Sequence, residues 1–318
     1  MMLPGKDYMR SCPEFMHMVD LVSKQNPLQK KRVYNFISGQ DGEYLTYAEK
    51  ICKKLKESFF QSEQEQIEAA ASYNRMSMDF LREQILFSKT GVYHLDDARV
   101  AHENVYSRPE VMRYYMVGLL MSYLLWPNHY KMLHFLKEHI RQISIGNYLE
   151  IAPGHGLFAA EVLQQFPDIK ARLLDISTTS LQVTTDILAT FEIGSDRFSS
   201  INGDFLTVPI EDTRFDFISM GEVLEHVNDA LGFLQRARSL LNDHGTIFMT
   251  TCANCPAIDH IYHFHNEDEI RDLIHEAGLY IAKERVLLVE AVPKEQCHHG
   301  LVPSNYCAIL TKEKNDSL

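Results

Sequence analysis

The sequence predicts an α/β fold in two parts: an α-helical N-terminal domain over residues 1–140, and a mostly parallel sheet with helices on both faces over residues 141–318. Three observations carry this. Up to about residue 140, apolar residues recur at helical spacing and strand signals are nearly absent. From Gly146 onward, short apolar runs alternate with helical segments. The first of those runs, Tyr148-Leu149-Glu150-Ile151, leads through Ala152-Pro153-Gly154-His155-Gly156 into a helix with the apolar face Phe158, Val162, Leu163 and Phe166.

In the N-terminal part the spacing predicts helices over Pro13–Ser23, Tyr47–Phe60, Gln64–Phe87, Pro109–Leu125 and Tyr130–Ile140. Thr90-Gly91-Val92-Tyr93 breaks the run, and Ser107 before Pro109 marks a helix start with proline in its first turn. In the second part, strands are expected at Asn147–Ile151, Ala171–Asp175, Phe198–Asn202, Phe215–Met220 and Thr246–Thr250, with helices between them. Leu279–Val289 and Asn305–Lys312 follow without an intervening helix and read as an antiparallel pair at the sheet edge. There is no internal repeat, low-complexity tract or Pro/Ser-rich linker.

The bulk properties narrow the function. The 318 residues are 45% hydrophobic and 23% charged, as in a soluble globular protein. A formal net charge of -12 argues against binding nucleic acid through a basic surface. The basic runs, Lys30-Lys31-Arg32 and Lys50 to Lys56, read as solvated helix faces. Six cysteines, at 12, 52, 252, 255, 297 and 307, form no disulfide framework, and Met1 to Arg10 carries no apolar signal core. The most apolar segment, Tyr114 to Trp126, falls short of the roughly 20 residues of a membrane span. The expected location is a reducing cytoplasm, with no membrane partner.

The turn after Ile151 selects the ligand. Glycines let the backbone approach closely, and a helix N-terminus presents free N–H groups. A carboxylate at Glu150 would repel a pyrophosphate and attract the ammonium of a ligand bearing an amino acid. The segment resembles the first motif of the class I S-adenosylmethionine-dependent methyltransferases, with Ala152 where that family usually has its first glycine. The resemblance implies a Rossmann-like, seven-stranded, mostly parallel sheet with a reversed final strand, and S-adenosyl-L-methionine as cofactor.

Downstream segments extend the match to about residue 250. Asp175 stands about 20 residues past the turn, where a carboxylate accepts from both ribose hydroxyls; its plainer reading is a helix N-cap. Gly203-Asp204-Phe205 matches the family's adenine position, with Phe205 covering the ring. Met220-Gly221-Glu222-Val223-Leu224-Glu225-His226-Val227 is similar to the Glu-Val-Leu-Glu-His segment of ubiquinone-type and related small-molecule methyltransferases. Asn242-Asp243-His244-Gly245 resembles the turn before strand five. The cofactor set is therefore Glu150, Ala152, Gly154, Gly156, Asp175, Ile176, Asp204, Phe205, Met220 and Glu222.

Methyl transfer requires alignment of the acceptor and exclusion of water, with a base where the acceptor must lose a proton. The loop Cys252 to His265 follows strand five, at the sheet's ligand-binding end, and holds His260, His263 and His265. His260 is the first candidate for the catalytic base and His263 the second, with Asp259 as an orienting group. No metal is expected; the weaker alternatives are His260, His263 and His265, or Cys252 and Cys255 with Cys297, His298 and His299. Tyr106, Trp126, His129, His226 and His265 are the candidate substrate contacts, in a pocket whose aromatic set suits an apolar or aromatic acceptor.

The expected function is O- or N-methylation of a small organic acceptor in biosynthesis. Tethering of that acceptor to a carrier protein stays open, with Lys50, Lys53, Lys54 and Lys56 as a docking patch. A protein or peptide methyltransferase, or a noncatalytic scaffold, are the alternatives; a nucleic-acid substrate is disfavoured because strand four lacks an Asn/Asp-Pro-Pro-Tyr sequence. Apolar faces on the N-terminal helices would suit a homodimer.

Overall fold

Prolines and short polar side chains set where the N-terminal helices begin. The computed structural model describes residues 11–210, 213–289 and 301–313. Helices α1 (Pro13–Gln25) and α2 (Pro27–Ser38) each open on proline, whose missing N–H is an unpaired group there anyway. In α3 (Gly42–Ser58) the Asp41 carboxylate accepts from the Tyr44 N–H at 2.9 Å. In α4 (Glu63–Thr90) Ser62 and Glu65 form a capping box, and Gly91 ends the helix at φ +72°. A short α5 (Ala98–Ala101) runs into a π-turn (His102–Tyr106). Then come α6 (Pro109–Leu125) and α7 (Pro127–Ile140).

Two of these were not expected. Helix α2 buries only Val33, Phe36 and Ile37 as apolar residues, so its stripe is narrow amid a basic run. The Ala98–Tyr106 segment is short and buries only Ala101 and Val105. Helix α6 buries eleven residues around nearly its whole circumference. It comes close to α4 at Gly118, where an added Cβ would stand 2.8 Å from Met76 Cβ.

The second part alternates as expected: β1 (Asn147–Ile151), α8 (Leu157–Gln165), β2 (Lys170–Asp175), α9 (Thr178–Thr190), β3 (Phe198–Asn202), β4 (Phe215–Gly221), α10 (Ala230–Leu240), β5 (Leu241–Ala253), α11 (Glu267–Glu276), β6 (Tyr280–Leu288) and β7 (Ser304–Thr311). The sheet has seven strands in the order β3-β2-β1-β4-β5-β7-β6. β1 to β5 pair in parallel, and β7 runs antiparallel to both β5 and β6. The reversed strand is thus one in from the edge, with β6 outermost. Asn242–Gly245 is not a turn ahead of β5 but a bulge within it: Phe215 pairs with Leu241 and Phe217 with Thr246.

The helical part is tied to the sheet by packing and by polar contacts. The Tyr47 hydroxyl donates to Glu161 at 2.9 Å, and Lys137 pairs with the same carboxylate at 3.0 Å. His139 Nε2 lies 3.0 Å from Thr246 Oγ1. One apolar cluster runs from Phe15 and Tyr44 through α6 and α7 to Tyr148, Phe217 and Phe248 on the sheet. No helix among the described residues is long and apolar enough to cross a membrane.

Candidate active site

Strand β1 has β2 on one side and β4 on the other, so chain connections leave its carboxyl end in opposite directions. In such sheets the crevice at that reversal is where ligands bind. Here a cavity of about 1020 Å³ opens at it. Glu150, Ala152, Gly154, Asp175, Asp204 and Glu222 line its floor; Tyr106, Tyr115, Met116, Trp126 and His129 from the N-terminal helices line its roof.

The floor is acidic and short of counter-charge. Glu150 is 1% exposed and accepts from the Tyr148 hydroxyl at 2.7 Å. Burial pushes its carboxyl up to about 8, against the Tyr148 hydrogen bond and with a small contribution from the Asp175 charge. Asp175 accepts from the Ser180 hydroxyl at 2.6 Å and the Ser177 N–H at 2.8 Å, while burial raises its pKa. The cap of α9 is Ser177 itself, which accepts from the Ser180 N–H. Asp204 closes its own turn, accepting from the Leu206 N–H at 2.9 Å. Phe205 packs on Phe233 with centroids 4.6 Å apart, and the Arg236 guanidinium lies over its ring. Among the described residues no cation pairs with Glu150 or Asp175.

A second polar cluster forms the wall between floor and roof. The end of β4 turns sharply at Glu222, φ +50°, and continues into a 3-10 turn, Leu224–His226. The loop after β5 turns at Asn254, φ +56°, whose amide holds the loop through the His265 and Val302 carbonyls. The Ile261 and Tyr262 N–H groups then donate to the Glu225 carbonyl at 2.8 and 3.0 Å. This docks Asp259 and His260 against Glu225 and His226. Asp259, 1% exposed, accepts from the Tyr106 and Tyr115 hydroxyls at 3.1 and 3.0 Å. His226 Nδ1 lies 2.9 Å from the Tyr106 oxygen and 3.1 Å from the Asp259 carbonyl. His260 Nδ1 lies 2.6 Å from the Cys255 carbonyl.

Residues 128–284 match the family model for a methyltransferase domain. Over that span the chain is a class I S-adenosylmethionine-dependent methyltransferase domain. A curated relative, malonyl-[acyl-carrier protein] O-methyltransferase 1 of Ilyobacter polytropus, is 27% identical over 112 residues. That match takes in 34% of this chain and 38% of the relative, so the chain spans well under half the relative's length. Two solved structures share the fold. An O-methyltransferase from neocarzinostatin biosynthesis has a TM-score of 0.52 at 15% identity, over 76% of this chain and 70% of that one. An O-methyltransferase family protein from Burkholderia thailandensis has a TM-score of 0.50 at 12% identity, over 78% and 72%.

The residues of this methyltransferase fit S-adenosylmethionine. Its amino-acid end carries an ammonium and its sulfur a positive charge, and the floor offers buried carboxyls that lack a cation. The turn itself shows strain. Ala152 sits at φ +54°, Gly154 at +58° and Gly156 at +76°. A left-handed alanine costs about 1–2 kcal/mol, and glycine gives back about 0.5–1 kcal/mol of unfolded-state entropy. Ala152→Gly should therefore stabilise the protein by about 0.5–1 kcal/mol, read as a melting temperature a few degrees higher. Gly156→Ala should do the reverse. Its Cβ would stand 2.9 Å from Thr184 Cα, which is backbone and cannot swing aside. The expected loss is about 2–4 kcal/mol in a denaturant titration.

The structure sorts the sequence candidates by position. Glu150, Ala152, Gly154, Asp175, Ile176, Asp204, Phe205 and Glu222 line the cavity. Gly156 shapes the turn behind it. Met220 is fully buried in the core beneath it, whereas Gly221 at the end of β4 and Glu222 just after it are only partly buried and reach the cavity. Tyr106, Trp126, His129, His226 and His260 line the cavity; His263 and His265 do not. The alternation of the loop points His263 away, where it stacks on Tyr93 with centroids 4.5 Å apart and meets the Asn254 amide oxygen at 2.9 Å. His265 is exposed and pairs with Glu269 at 3.1 Å at the start of α11.

Burial decides the protonation of three histidines around the cavity. It lowers His129, His155 and His260 to about 3, so all three imidazoles are neutral. Ser122 donates to the Leu119 carbonyl, so His129 Nδ1, 2.6 Å from that hydroxyl, carries the proton. Sequence reading missed His155, Tyr123, Met116 and Asn305 as lining residues. Asn305 donates to Glu222 at 3.1 Å, and its place on β7 opposite Cys252 has no local signature.

The lysine patch is largely neutralised. Lys53 pairs with Glu57, Lys54 with Glu192 and Lys56 with Glu14, at 4.0, 3.5 and 2.7 Å. Of the alternative metal sets, Cys297, His298 and His299 lie outside the described residues. The His263 and His265 rings lie against each other at a tilt, centroids 4.2 Å apart, away from the cavity that His260 lines.

Proposed function

We propose that this methyltransferase transfers a methyl group to an oxygen of a small organic acceptor with an aromatic or otherwise apolar body. The observation that carries the reading is the continuity of the cavity. Its acidic floor and aromatic roof enclose one volume, and the polar wall of His226 and His260 lies between them. Glu150, Asp175 and Asp204 would hold the amino-acid end, the ribose and the adenine of the cofactor, which supplies an electrophilic methyl when bound. Tyr115, Met116, Trp126 and His129 would hold the acceptor and exclude water. His226 and His260 are the groups positioned to activate an acceptor hydroxyl. Transfer to nitrogen remains the second product class, since the same pocket admits an amine.

Residues 1–140 act in this reading as the substrate and lid domain, and residues 141–318 as the cofactor domain. The names of two relatives support the class. One is an acyl-carrier-protein O-methyltransferase, and the other was crystallised with S-adenosylmethionine and 2-hydroxy-5-methyl naphthoic acid. A carrier-bound acceptor is less favoured here because the lysine patch is paired. A homodimer through the exposed Leu81, Ile85 and Leu86 of α4 also belongs to the reading, and sedimentation velocity tests it.

The test is a screen with isotopically labelled cofactor against hydroxylated aromatic acids, aliphatic acids and their carrier-bound forms. Mass-spectrometric detection of an O-methyl product from a free small molecule is expected. Label appearing only in protein or peptide acceptors would overturn the reading.

A further inference from the structure

We propose that Glu222, Glu225, His226 and His260 form a binding site for a divalent first-row transition-metal cation, in the wall where the acceptor meets the cofactor. One donor atom each from Glu225, His226 and His260 lie within 4.8 Å of one another, and Glu222 and Glu225 share a second such group with Cys252. Ligands at about 2.0–2.2 Å from one ion stand up to about 4.4 Å apart, so small side-chain adjustments bring Glu225, His226 and His260 onto one ion, and Glu222 would join from the adjoining group that it shares with Glu225.

Two further observations point to a cation. First, Glu222 Oε1 is shielded from solvent and has no hydrogen-bond partner in the geometry of the described residues. A shielded carboxylate oxygen is costly to leave unmet. Second, each of the four side chains has an outer partner that fixes it. Asn305 donates to Glu222 Oε2 at 3.1 Å, and the Thr251 hydroxyl donates to Glu225 Oε2 at 2.7 Å. Tyr106 and the Asp259 carbonyl engage His226 Nδ1, and the Cys255 carbonyl engages His260 Nδ1. Among the described residues these hydrogen bonds engage Nδ1 of both rings and none engages Nε2, which leaves that nitrogen for a cation. Outer-shell support of this kind is how proteins orient metal ligands.

The chain builds this from two places. Glu222, Glu225 and His226 come from the turn after β4, and His260 from the loop after β5. The parallel pairing of Met220 with Met249 and Gly221 with Thr250 brings the two strand ends side by side. Two carboxylates and two neutral imidazoles balance a charge of two. A mixed oxygen and nitrogen set suits Mn²⁺, Fe²⁺, Co²⁺ or Zn²⁺ better than Mg²⁺ or Ca²⁺, which favour oxygen alone. The ion would face the cavity and take an acceptor oxygen as a further ligand, lowering the pKa of a hydroxyl. That role rests on the methyltransferase reading; the cation site itself does not.

The test uses the 318-residue chain, treated with a chelator and titrated with Mn²⁺, Co²⁺ and Zn²⁺ by calorimetry. Cobalt absorption in the visible range gives a second readout. One equivalent should bind the wild type with micromolar affinity, and Glu222→Gln and His226→Gln should each weaken it at least about 10-fold. Melting curves show whether each variant is folded, and S-adenosylhomocysteine binding to the wild type tests the methyltransferase reading separately. Absence of stoichiometric binding to the wild type, or equal affinity in folded variants, overturns the site. Methyl transfer that persists in chelator together with absent cation binding would sink the site and keep the methyltransferase reading. Failure to bind S-adenosylhomocysteine would count against that reading alone.

Discussion

Glu150→Gln should weaken binding of S-adenosylhomocysteine about 30-fold or more, and should stabilise the cofactor-free protein near neutral pH. Both effects have one source. Glu150 is buried beside a cavity, and among the described residues its only hydrogen-bond donor is the Tyr148 hydroxyl. Removing one partner of a buried charge pair costs about 2–5 kcal/mol of binding. Without the ligand the same carboxylate is a liability, because burial holds its pKa at about 8, well above the ordinary 4.5.

The pH dependence follows from the sign of that shift. Between about pH 4.5 and 8 the folded state binds the proton more tightly than the unfolded chain, so stability falls as pH rises through this window. Below it the penalty is absent, and above it the penalty is complete, on the order of a few kcal/mol. The glutamine variant should lose this part of the slope in denaturant titrations across that range. An ammonium arriving beside Glu150 favours the ionised form. Binding to the wild type at pH 7 should therefore release close to one proton, seen as a calorimetric enthalpy that varies with buffer. The variant should release correspondingly less. Equal affinity in the two proteins would remove Glu150 from the cofactor's surroundings.

His226→Ala should lower kcat by about 10²- to 10⁴-fold while leaving S-adenosylhomocysteine affinity within about 3-fold. Its side chain is 17% exposed toward the cavity, and Tyr106 and Asp259 hold its Nδ1. Whether it takes a proton or binds a cation, it acts on the acceptor side. Asp259→Asn should give a smaller loss of the same kind. An amide can no longer accept from both Tyr106 and Tyr115, so the imidazole loses its orientation without leaving the site. The cation account adds a stricter expectation: chelation should cost the wild type nearly as much as the substitution, and should cost His226→Ala little more. A pronounced further loss on chelating the variant would separate the two effects.

The strand positions were legible because each strand is a short apolar run bounded by polar or glycine-rich turns; the ends of β1 and β3 coincide with the expectation. The acidic floor of the cavity was legible for the same reason, since Glu150 and Asp175 stand at strand ends and Asp204 lies two residues past one. What escaped was what depends on pairing between distant segments. Helix α2 hides its Val33, Phe36 and Ile37 stripe in a basic run. The bulge at Asn242–Gly245 looks like a turn until the register of β4 and β5 is known. His263 and His260 are equivalent in sequence, and only the turn at Asn254 and the docking of the loop on Glu225 send one into the cavity and the other onto Tyr93. The cluster of Glu222, Glu225, His226 and His260 depends on the same docking.

The most direct measurement is a calorimetric titration of the protein with S-adenosylhomocysteine, beside Glu150→Gln and Asp175→Ala. The account predicts one micromolar site in the wild type and at least about 10-fold weaker binding in each folded variant. No binding to the wild type, or undiminished binding in both variants, would contradict it.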